Sequence, residues 1–112
     1  VFLERSGLRG CFRAVVSSEE VPRGKPAPDV YLAAVEALGV DARTTVAVED
    51  SVNGIRAAIA ARTRVVAVPN RAFPPPPDVL ALADAVVTSL DELTPDLVGH
   101  LTGDRPPEPP IR

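Results

Sequence analysis

Short apolar runs alternate along this chain with longer stretches whose apolar residues recur every three or four positions. The apolar runs predict buried strands, because strands of a parallel sheet that are covered on both faces show no polar alternation. The stretches at helical spacing predict helices with one buried face. The predicted strands span residues 12–17, 46–48, 64–68 and 85–88, and the predicted helices span 28–38, 52–59 and 79–83, with the end of another at 1–6 and a last one after residue 89.

Residues that favour helix ends lie at the borders of these stretches. Pro28 suits a first helical position, and Gly39 supplies the left-handed residue that often ends a helix. Ser51 can cap the next helix, and Ser89 with Glu92 matches a capping box ahead of the last one. The apolar positions expected to face the core are Tyr31, Ala34, Val35 and Leu38, then Val52, Ile55 and Ile59, and finally Leu93, Leu97 and Leu101. Four prolines at 74–77 predict a stiff surface segment.

Strands that alternate with helices at this pitch predict an α/β fold, a Rossmann-like parallel sheet with helices on both faces and right-handed crossovers. Residues 1–101 are expected to form one core domain, and the proline-rich residues 102–112 are expected to form a disordered tail. In parallel sheets of this kind, ligands bind beyond the carboxyl ends of the strands. Three residue pairs follow predicted strands and are therefore expected at that edge: Ser17-Ser18, Glu49-Asp50 and Pro69-Asn70.

Composition narrows the classes of partner. The 112 residues carry a formal net charge of −3 with a pI near 5.1. This acidic balance argues against binding to nucleic acid or to an acidic membrane, both of which need a concentrated positive surface. No apolar run of the sequence approaches the roughly 18 residues that cross a bilayer. A single cysteine, Cys11, excludes an internal disulfide and favours a reducing, cytoplasmic location.

Two adjacent carboxylates, Glu49 and Asp50, follow the predicted strand at 46–48. At about 5 Å their charges would repel by about 3 kcal/mol in an effective dielectric of about 20. Mg²⁺ offsets such repulsion, because it prefers oxygen ligands and retains several waters. The pair can equally be an exposed acidic start to the next helix, favoured by the helix dipole.

Lys25 lies in the loop before the helix that starts near Pro28, within the run Gly-Lys-Pro-Ala-Pro-Asp at 24–29. The two prolines restrict the backbone, so an ammonium aimed at a phosphate would lose less entropy on binding. Taken alone, the residue can also be a solvated loop lysine. A nucleotide-binding P-loop is excluded, because Glu19 and Pro26 stand where that motif needs Gly and Ser or Thr.

Together with Val-Glu-Asp-Ser-Val-Asn-Gly-Ile-Arg-Ala-Ala at 48–58, this run resembles the third and fourth motifs of the haloacid dehalogenase-like hydrolases, in the branch of β-phosphoglucomutase and phosphoglycolate phosphatase. The similarity covers about residues 7–93. It implies that Lys25 steadies the phosphoryl group and the nucleophile, that Asp50 binds Mg²⁺ directly, and that Glu49 acts on the metal through water. Ser51 and Asn53 are candidates for shaping the substrate-binding loop.

The family's other catalytic residues have no match in this sequence. An Asp-x-Asp motif, which in the family supplies the nucleophile and the general acid/base, does not occur in the 112 residues. The resemblance therefore implies a C-terminal fragment that lacks the first two core strands and the substrate-selecting cap, and that is expected to be inactive alone. A second departure is Arg62, which stands where the family pattern has a helix-ending Gly.

The resulting hypothesis is a Mg²⁺-dependent phosphatase or phosphomutase that acts on a small phosphorylated metabolite through an aspartyl-phosphate intermediate. A rival hypothesis is a non-catalytic α/β module that binds phosphate or a partner through the same crevice. A receiver-type signalling domain also uses Asp, Mg²⁺ and Lys. There the acidic cluster precedes the lysine, whereas Lys25 precedes Glu49 and Asp50 in this sequence.

Overall fold

Helices and strands alternate through residues 21–103, the part of the chain that the computed structural model describes. Its elements are α1 (Asp29–Leu38), β1 (Val46–Glu49), α2 (Val52–Ala60), β2 (Arg64–Ala67), α3 (Pro77–Leu80), β3 (Ala85–Val86) and α4 (Pro95–Thr102), with 3₁₀ turns at Ala42–Thr44 and Leu90–Glu92. The helix end predicted at 1–6 and the strand predicted at 12–17 lie outside the described residues. Most of the predicted tail does so too, although its first residue, Thr102, is still helical.

The three strands form a parallel sheet in the order β1-β2-β3. In the register of β1 and β2, Val46 pairs with Arg64 and Glu49 pairs with Ala67. Helix α2 connects these two strands and packs against both, α1 packs on α2, and α4 contacts β1. The predicted α/β class with a parallel sheet is confirmed.

The middle strand β2 supplies the centre of the core. Val65 and Val66 are fully buried, and the equally buried Ile55 of α2 packs in one cluster with Val65. Strand β1 differs, because Ala47 and Glu49 are buried whereas Val48 is 37% exposed. The prediction that this strand is covered on both faces is therefore wrong for the described residues, among which β1 is an edge strand with one covered face.

Helix α2 differs from its predicted face, and helix α3 differs from its predicted bounds. The spacing predicts that Ile59 faces the core, yet it is 36% exposed. The buried residues of α2 are instead Gly54, Ile55, Ala57 and Ala58. Helix α3, predicted over 79–83, instead spans Pro77–Leu80. Pro77 takes its first position, where the missing proline N–H has no intrahelical partner to lose. The last residue of the proline run therefore starts a helix.

The capping box of Ser89 and Glu92 forms as predicted, but it encloses a 3₁₀ turn rather than the start of the last helix. The Glu92 carboxylate accepts hydrogen bonds from the amides of Thr88 and Ser89, which ends β3 earlier than the predicted residue 88. Helix α4 begins only at Pro95, capped by the Thr94 hydroxyl. A residue before proline is driven to extended backbone, so Leu93 lies outside the helix.

The turn between α2 and β2 contains Arg62 in the left-handed region, at φ 66°. The amides of Arg62 and Thr63 donate to the carbonyls of Ile59 and Ala58, which closes the helix end. A non-glycine residue in this region costs about 1 kcal/mol, as expected from the absence of glycine here. No helix within residues 21–103 combines the length and the apolar character needed to span a membrane.

Candidate active site

Glu49 is a nearly buried carboxylate at the carboxyl end of β1, where its residue is 8% exposed. Strand alternation directs its side chain to the same covered face as Ala47. The Lys25 ammonium nitrogen lies 2.6 Å from Glu49 Oε1 and donates a hydrogen bond to it. The Tyr31 hydroxyl donates to the same oxygen. One buried carboxylate therefore fixes a lysine from the loop before α1 and a tyrosine from α1 itself.

Tyr31 also supports the lysine through its ring. The Lys25 ammonium lies 5.4 Å from the centre of the Tyr31 ring, within cation–π range. Burial, followed by the hydrogen bond to Glu49 and the charges of Glu49 and Asp50, holds the pKa of Tyr31 well above its ordinary value. The phenol therefore stays protonated and remains a hydrogen-bond donor at neutral pH.

Gly54, in the first turn of α2, leaves the space that the Glu49 side chain occupies. A Cβ atom built on Gly54 would lie 1.8 Å from Glu49 Oε2 and 2.3 Å from its carboxyl carbon. The Gly54 amide is 3.1 Å from the Ser51 hydroxyl oxygen that accepts its hydrogen bond. The helix start and the buried carboxylate thus pack directly against each other, with no room for a side chain between them.

Asp50 differs from its neighbour in being exposed at the carboxyl edge of the sheet. Its backbone carbonyl accepts a hydrogen bond from the Asn70 amide, at 3.3 Å. Within residues 21–103 its carboxylate has no ion pair and no hydrogen bond. An open cavity of about 600 Å³ lies beside it, lined also by Asn70, Arg71 and apolar side chains that include Leu90.

The structure brings some of the predicted site residues together and separates others. Lys25 and Glu49 are in direct contact, and Asp50 follows Glu49 at the same strand end. The Ser51 hydroxyl accepts the Gly54 amide, so it caps the helix. Asn53 is exposed on α2, and its side chain makes no hydrogen bond with another described residue.

Tyr31 and Gly54 are the two site residues that the sequence does not assign. The pattern marks Tyr31 only as one apolar position of a helical stripe, since a tyrosine in such a stripe usually packs in the core. Gly54 lies inside the motif at 48–58, but the resemblance assigns no role to it. A close contact with a glycine cannot be read from spacing alone, because it depends on which strand end faces the helix.

The donors present suit a hard divalent cation, although they are few. The charged acceptors at this edge of the described chain are carboxylate oxygens, and Mg²⁺ prefers oxygen ligands of this kind. Among residues 21–103 there is no group of three or more His, Cys, Asp or Glu side chains that could hold a metal. The Asp50 carboxylate has no competing partner there, whereas one oxygen of Glu49 is already shared by Lys25 and Tyr31. Asp50 therefore fits a direct ligand better than Glu49 does.

Comparison with known proteins gives a consistent result. A family model for haloacid dehalogenase-like hydrolases matches residues 1–62. The chain is 48% identical over 93 residues to hexitol phosphatase B of Escherichia coli (strain K12), a match that covers 82% of this chain and 41% of that protein.

Two solved structures share the fold. The crystal structure of CbbY from Rhodobacter sphaeroides in complex with phosphate has a TM-score of 0.70 and 35% identity, covering 77% of this chain and 37% of that one. The β-phosphoglucomutase of Clostridium difficile has a TM-score of 0.76 over 91% of this chain and 43% of its own, and at 24% identity it supports the fold alone.

The chain thus spans about two fifths of the length of each of these three relatives. The resemblance that the two motifs carry is confirmed by a match to more than half of the sequence. The chain belongs to the haloacid dehalogenase-like hydrolases.

Proposed function

We propose that this chain is the C-terminal part of a Mg²⁺-dependent phosphatase or phosphomutase that acts on a small phosphorylated metabolite. The observation that carries the proposal is the arrangement at the carboxyl end of β1. There the Lys25 ammonium lies 2.6 Å from Glu49 Oε1. The next residue, Asp50, has a carboxylate with no partner among the described residues. A fixed cation beside an available anion can serve a phosphate and a metal ion at one site.

Lys25 and Glu49 would work as a pair. The buried Glu49 carboxylate and the Tyr31 ring keep the Lys25 side chain in one region, which reduces the entropy lost when its ammonium binds a phosphoryl oxygen. Lys25 is still 36% exposed, so it can reach a ligand at the sheet edge. Its charge would then neutralise part of the negative charge on the transferring group.

Asp50 would hold Mg²⁺ directly, and Glu49 would act on the metal through water. When bound, the metal would supply positive charge that stabilises the phosphoryl oxygens. Two observations support this role: Asp50 is exposed at this edge, and its backbone carbonyl accepts a hydrogen bond from the Asn70 amide. Ser51 would fix the start of α2 beneath the site, and Asn53 would contribute to the loop around the substrate.

The nucleophile would come from sequence outside these 112 residues, since no Asp-x-Asp motif occurs within them. In the complete enzyme an aspartate carboxylate would attack phosphorus while the bond to the leaving oxygen breaks, and a second acid would give that oxygen a proton. Water, or a sugar hydroxyl in a mutase, would then attack the aspartyl phosphate and release the aspartate.

The relatives support the substrate class in outline. One is named a hexitol phosphatase, and another was crystallised in complex with phosphate. The net charge of −3 speaks against a nucleic acid as substrate. We propose a cytoplasmic location, because the single cysteine of these 112 residues cannot form the internal disulfides that are typical of oxidising compartments.

A chimera tests the proposal, because it supplies the missing parts from a relative that is 48% identical. The upstream part of hexitol phosphatase B is joined to this chain, and turnover of p-nitrophenyl phosphate is measured with Mg²⁺. Lys25→Ala and Asp50→Asn should each lower kcat/KM by at least about a hundredfold, or about 2.7 kcal/mol. Asp78→Asn, an exposed carboxylate of α3 outside the site, is the matched control and should leave turnover unchanged.

Equal turnover in the parent chimera and in both site variants would overturn the proposal. A chimera that binds phosphate but turns over no faster than its upstream part alone would instead favour the non-catalytic binding module.

A further inference from the structure

A second cavity of about 310 Å³ lies at the amino-terminal edge of the sheet, away from the candidate active site. Its charged lining consists of three arginines, Arg43, Arg62 and Arg64, and one carboxylate, Asp84. Ile59 and Leu82 supply apolar walls. The charge of this lining is mainly positive, whereas carboxylates dominate at the candidate active site.

The topology brings these arginines together from three separate segments. Arg43 lies in the 3₁₀ turn before β1, Arg62 in the turn after α2, and Arg64 at the start of β2. Arg64 pairs with Val46, at the opposite end of the strands from Glu49 and Ala67. At about 3.3 Å per residue, three residue steps put this edge about 10 Å from the candidate active site.

Two of the three guanidinium groups have no partner among residues 21–103. Arg43 is held by Asp41, at 3.0 Å between Nη2 and Oδ2. The side chains of Arg62 and Arg64 have no hydrogen bond and no ion pair with other residues of the described range. Asp84 is engaged, because its Oδ2 accepts the Val65 amide at 2.7 Å. Arg62 and Arg64 can therefore turn their donors to a ligand.

Two departures from the expected fold coincide at this cavity. Arg62 keeps a left-handed backbone, at φ 66°, in a position that glycine would occupy without strain. Ile59 is 36% exposed although its spacing predicts a core residue. Strained backbone that persists is often associated with a functional site, and here it carries a guanidinium without a described partner beside an exposed apolar side chain.

We propose that this cavity binds a small phosphorylated organic anion, independently of the phosphoryl-transfer site. Guanidinium groups bind phosphate oxygens through paired hydrogen bonds, and Arg62 and Arg64 would supply them. Ile59 and Leu82 would contact the organic part of the ligand. Asp84 and the carbonyl end of α2 oppose an anion and keep the affinity moderate, as suits a site that responds to metabolite concentration.

The test is an NMR titration of the full chain in a Lys25→Ala background, which removes phosphate binding at the catalytic edge. The probes are inorganic phosphate and glycerol 3-phosphate. Both should cause saturable shifts of the amides of Thr63, Arg64 and Asp84, and glycerol 3-phosphate should bind more tightly. Equal affinities for the two probes would overturn the assignment to an organic anion.

Two variants and one control decide which residues bind. Arg62→Gly and Arg64→Gln should each weaken binding by about tenfold or more. Arg56→Gln removes an equal charge from the exposed face of α2, outside the cavity, and should bind like the parent. Arg62→Gly also relieves the left-handed strain, so its thermal midpoint should equal or exceed that of the parent, which separates a binding defect from a folding defect. Unchanged affinity in both site variants, or no saturable shift in the parent, would overturn the proposal.

Discussion

The close packing of Gly54 on Glu49 gives a quantitative prediction for Gly54→Ala. The added Cβ would lie 1.8 Å from Glu49 Oε2 and 2.9 Å from Oε1, so the carboxylate must leave its position. Leaving breaks its hydrogen bonds with Lys25 and Tyr31. A change that normally stabilises a helix should therefore destabilise this protein.

The size of the effect follows from the two interactions that the displaced carboxylate can no longer make. A hydrogen bond to a charged group contributes about 1.5–3 kcal/mol, and we take about 2 kcal/mol for Tyr31. The Lys25 ion pair is 36% exposed on the lysine side, so solvent screening limits it to about 1 kcal/mol. Alanine recovers about 0.5–1 kcal/mol over glycine in a helix. The free energy of unfolding should therefore fall by about 2 kcal/mol.

The assay is urea unfolding of the full chain, followed by circular dichroism, with two comparisons. Gly24→Ala is the matched control, because its Cβ would meet nothing within 4 Å. In a Glu49→Ala background the clash is absent, so Gly54→Ala should there be stabilising by about 0.5–1 kcal/mol. Equal effects of Gly54→Ala in both backgrounds, or no effect in the parent, would show that Glu49 does not oppose a side chain at position 54.

Two further predictions concern single groups. Tyr31 is the single tyrosine of the chain, so ultraviolet absorbance reports the ionisation of this residue alone. Burial and the Glu49 carboxylate raise the pKa of Tyr31 in the folded chain. The stability that Tyr31 contributes is therefore complete below about pH 10, the ordinary tyrosine pKa, and is lost as the pH rises above that value. Tyr31→Phe should remove this loss of stability at alkaline pH. Ionisation of Tyr31 in the folded chain at the ordinary tyrosine pKa would contradict the prediction. Asp84→Ala leaves the buried Val65 amide without the acceptor now 2.7 Å away, and should lower the unfolding free energy by about 1–3 kcal/mol. Asp84→Asn keeps an acceptor oxygen and should lower the unfolding free energy by less than Asp84→Ala does. Equal decreases for the two variants, measured by urea unfolding, would show that the hydrogen bond to the Val65 amide does not cause the destabilisation.

Local signals predict those parts of the fold that depend on neighbouring residues. Helix α1 ends at Gly39 in the left-handed conformation, and Ser51 caps α2, both as the sequence indicates. The apolar run of β2 is buried as predicted, because a middle strand is covered on both faces. The two helix ends need no knowledge of distant contacts, whereas the burial of β2 depends on its place in the sheet.

Features set by competing or distant contacts do not follow from the sequence pattern. The capping box forms, yet Pro95 and its effect on Thr94 move the helix start beyond Leu93. Spacing places Ile59 inward, but Ala58 of the same helix is buried instead and packs with strand residues such as Val65.

The candidate site shows the same division between local and distant information. The two motifs predict Lys25, Glu49 and Asp50 at one edge, and the contact of Lys25 with Glu49 agrees with that placement. The Tyr31 hydroxyl bond and the space above Gly54 depend on how α1 and α2 lie against β1. Sequence spacing carries no such distances.

The proposed function requires that Lys25 and Asp50 serve one site for a cation and a phosphoryl group. A crystal structure of the chimera with hexitol phosphatase B, soaked with Mg²⁺ and inorganic phosphate, would show this directly. We expect a metal ion bound to an Asp50 carboxylate oxygen and, at the same site, a phosphate within hydrogen-bond distance of the Lys25 ammonium. Ions bound elsewhere, or a phosphate with no contact to Lys25, would contradict the proposed function.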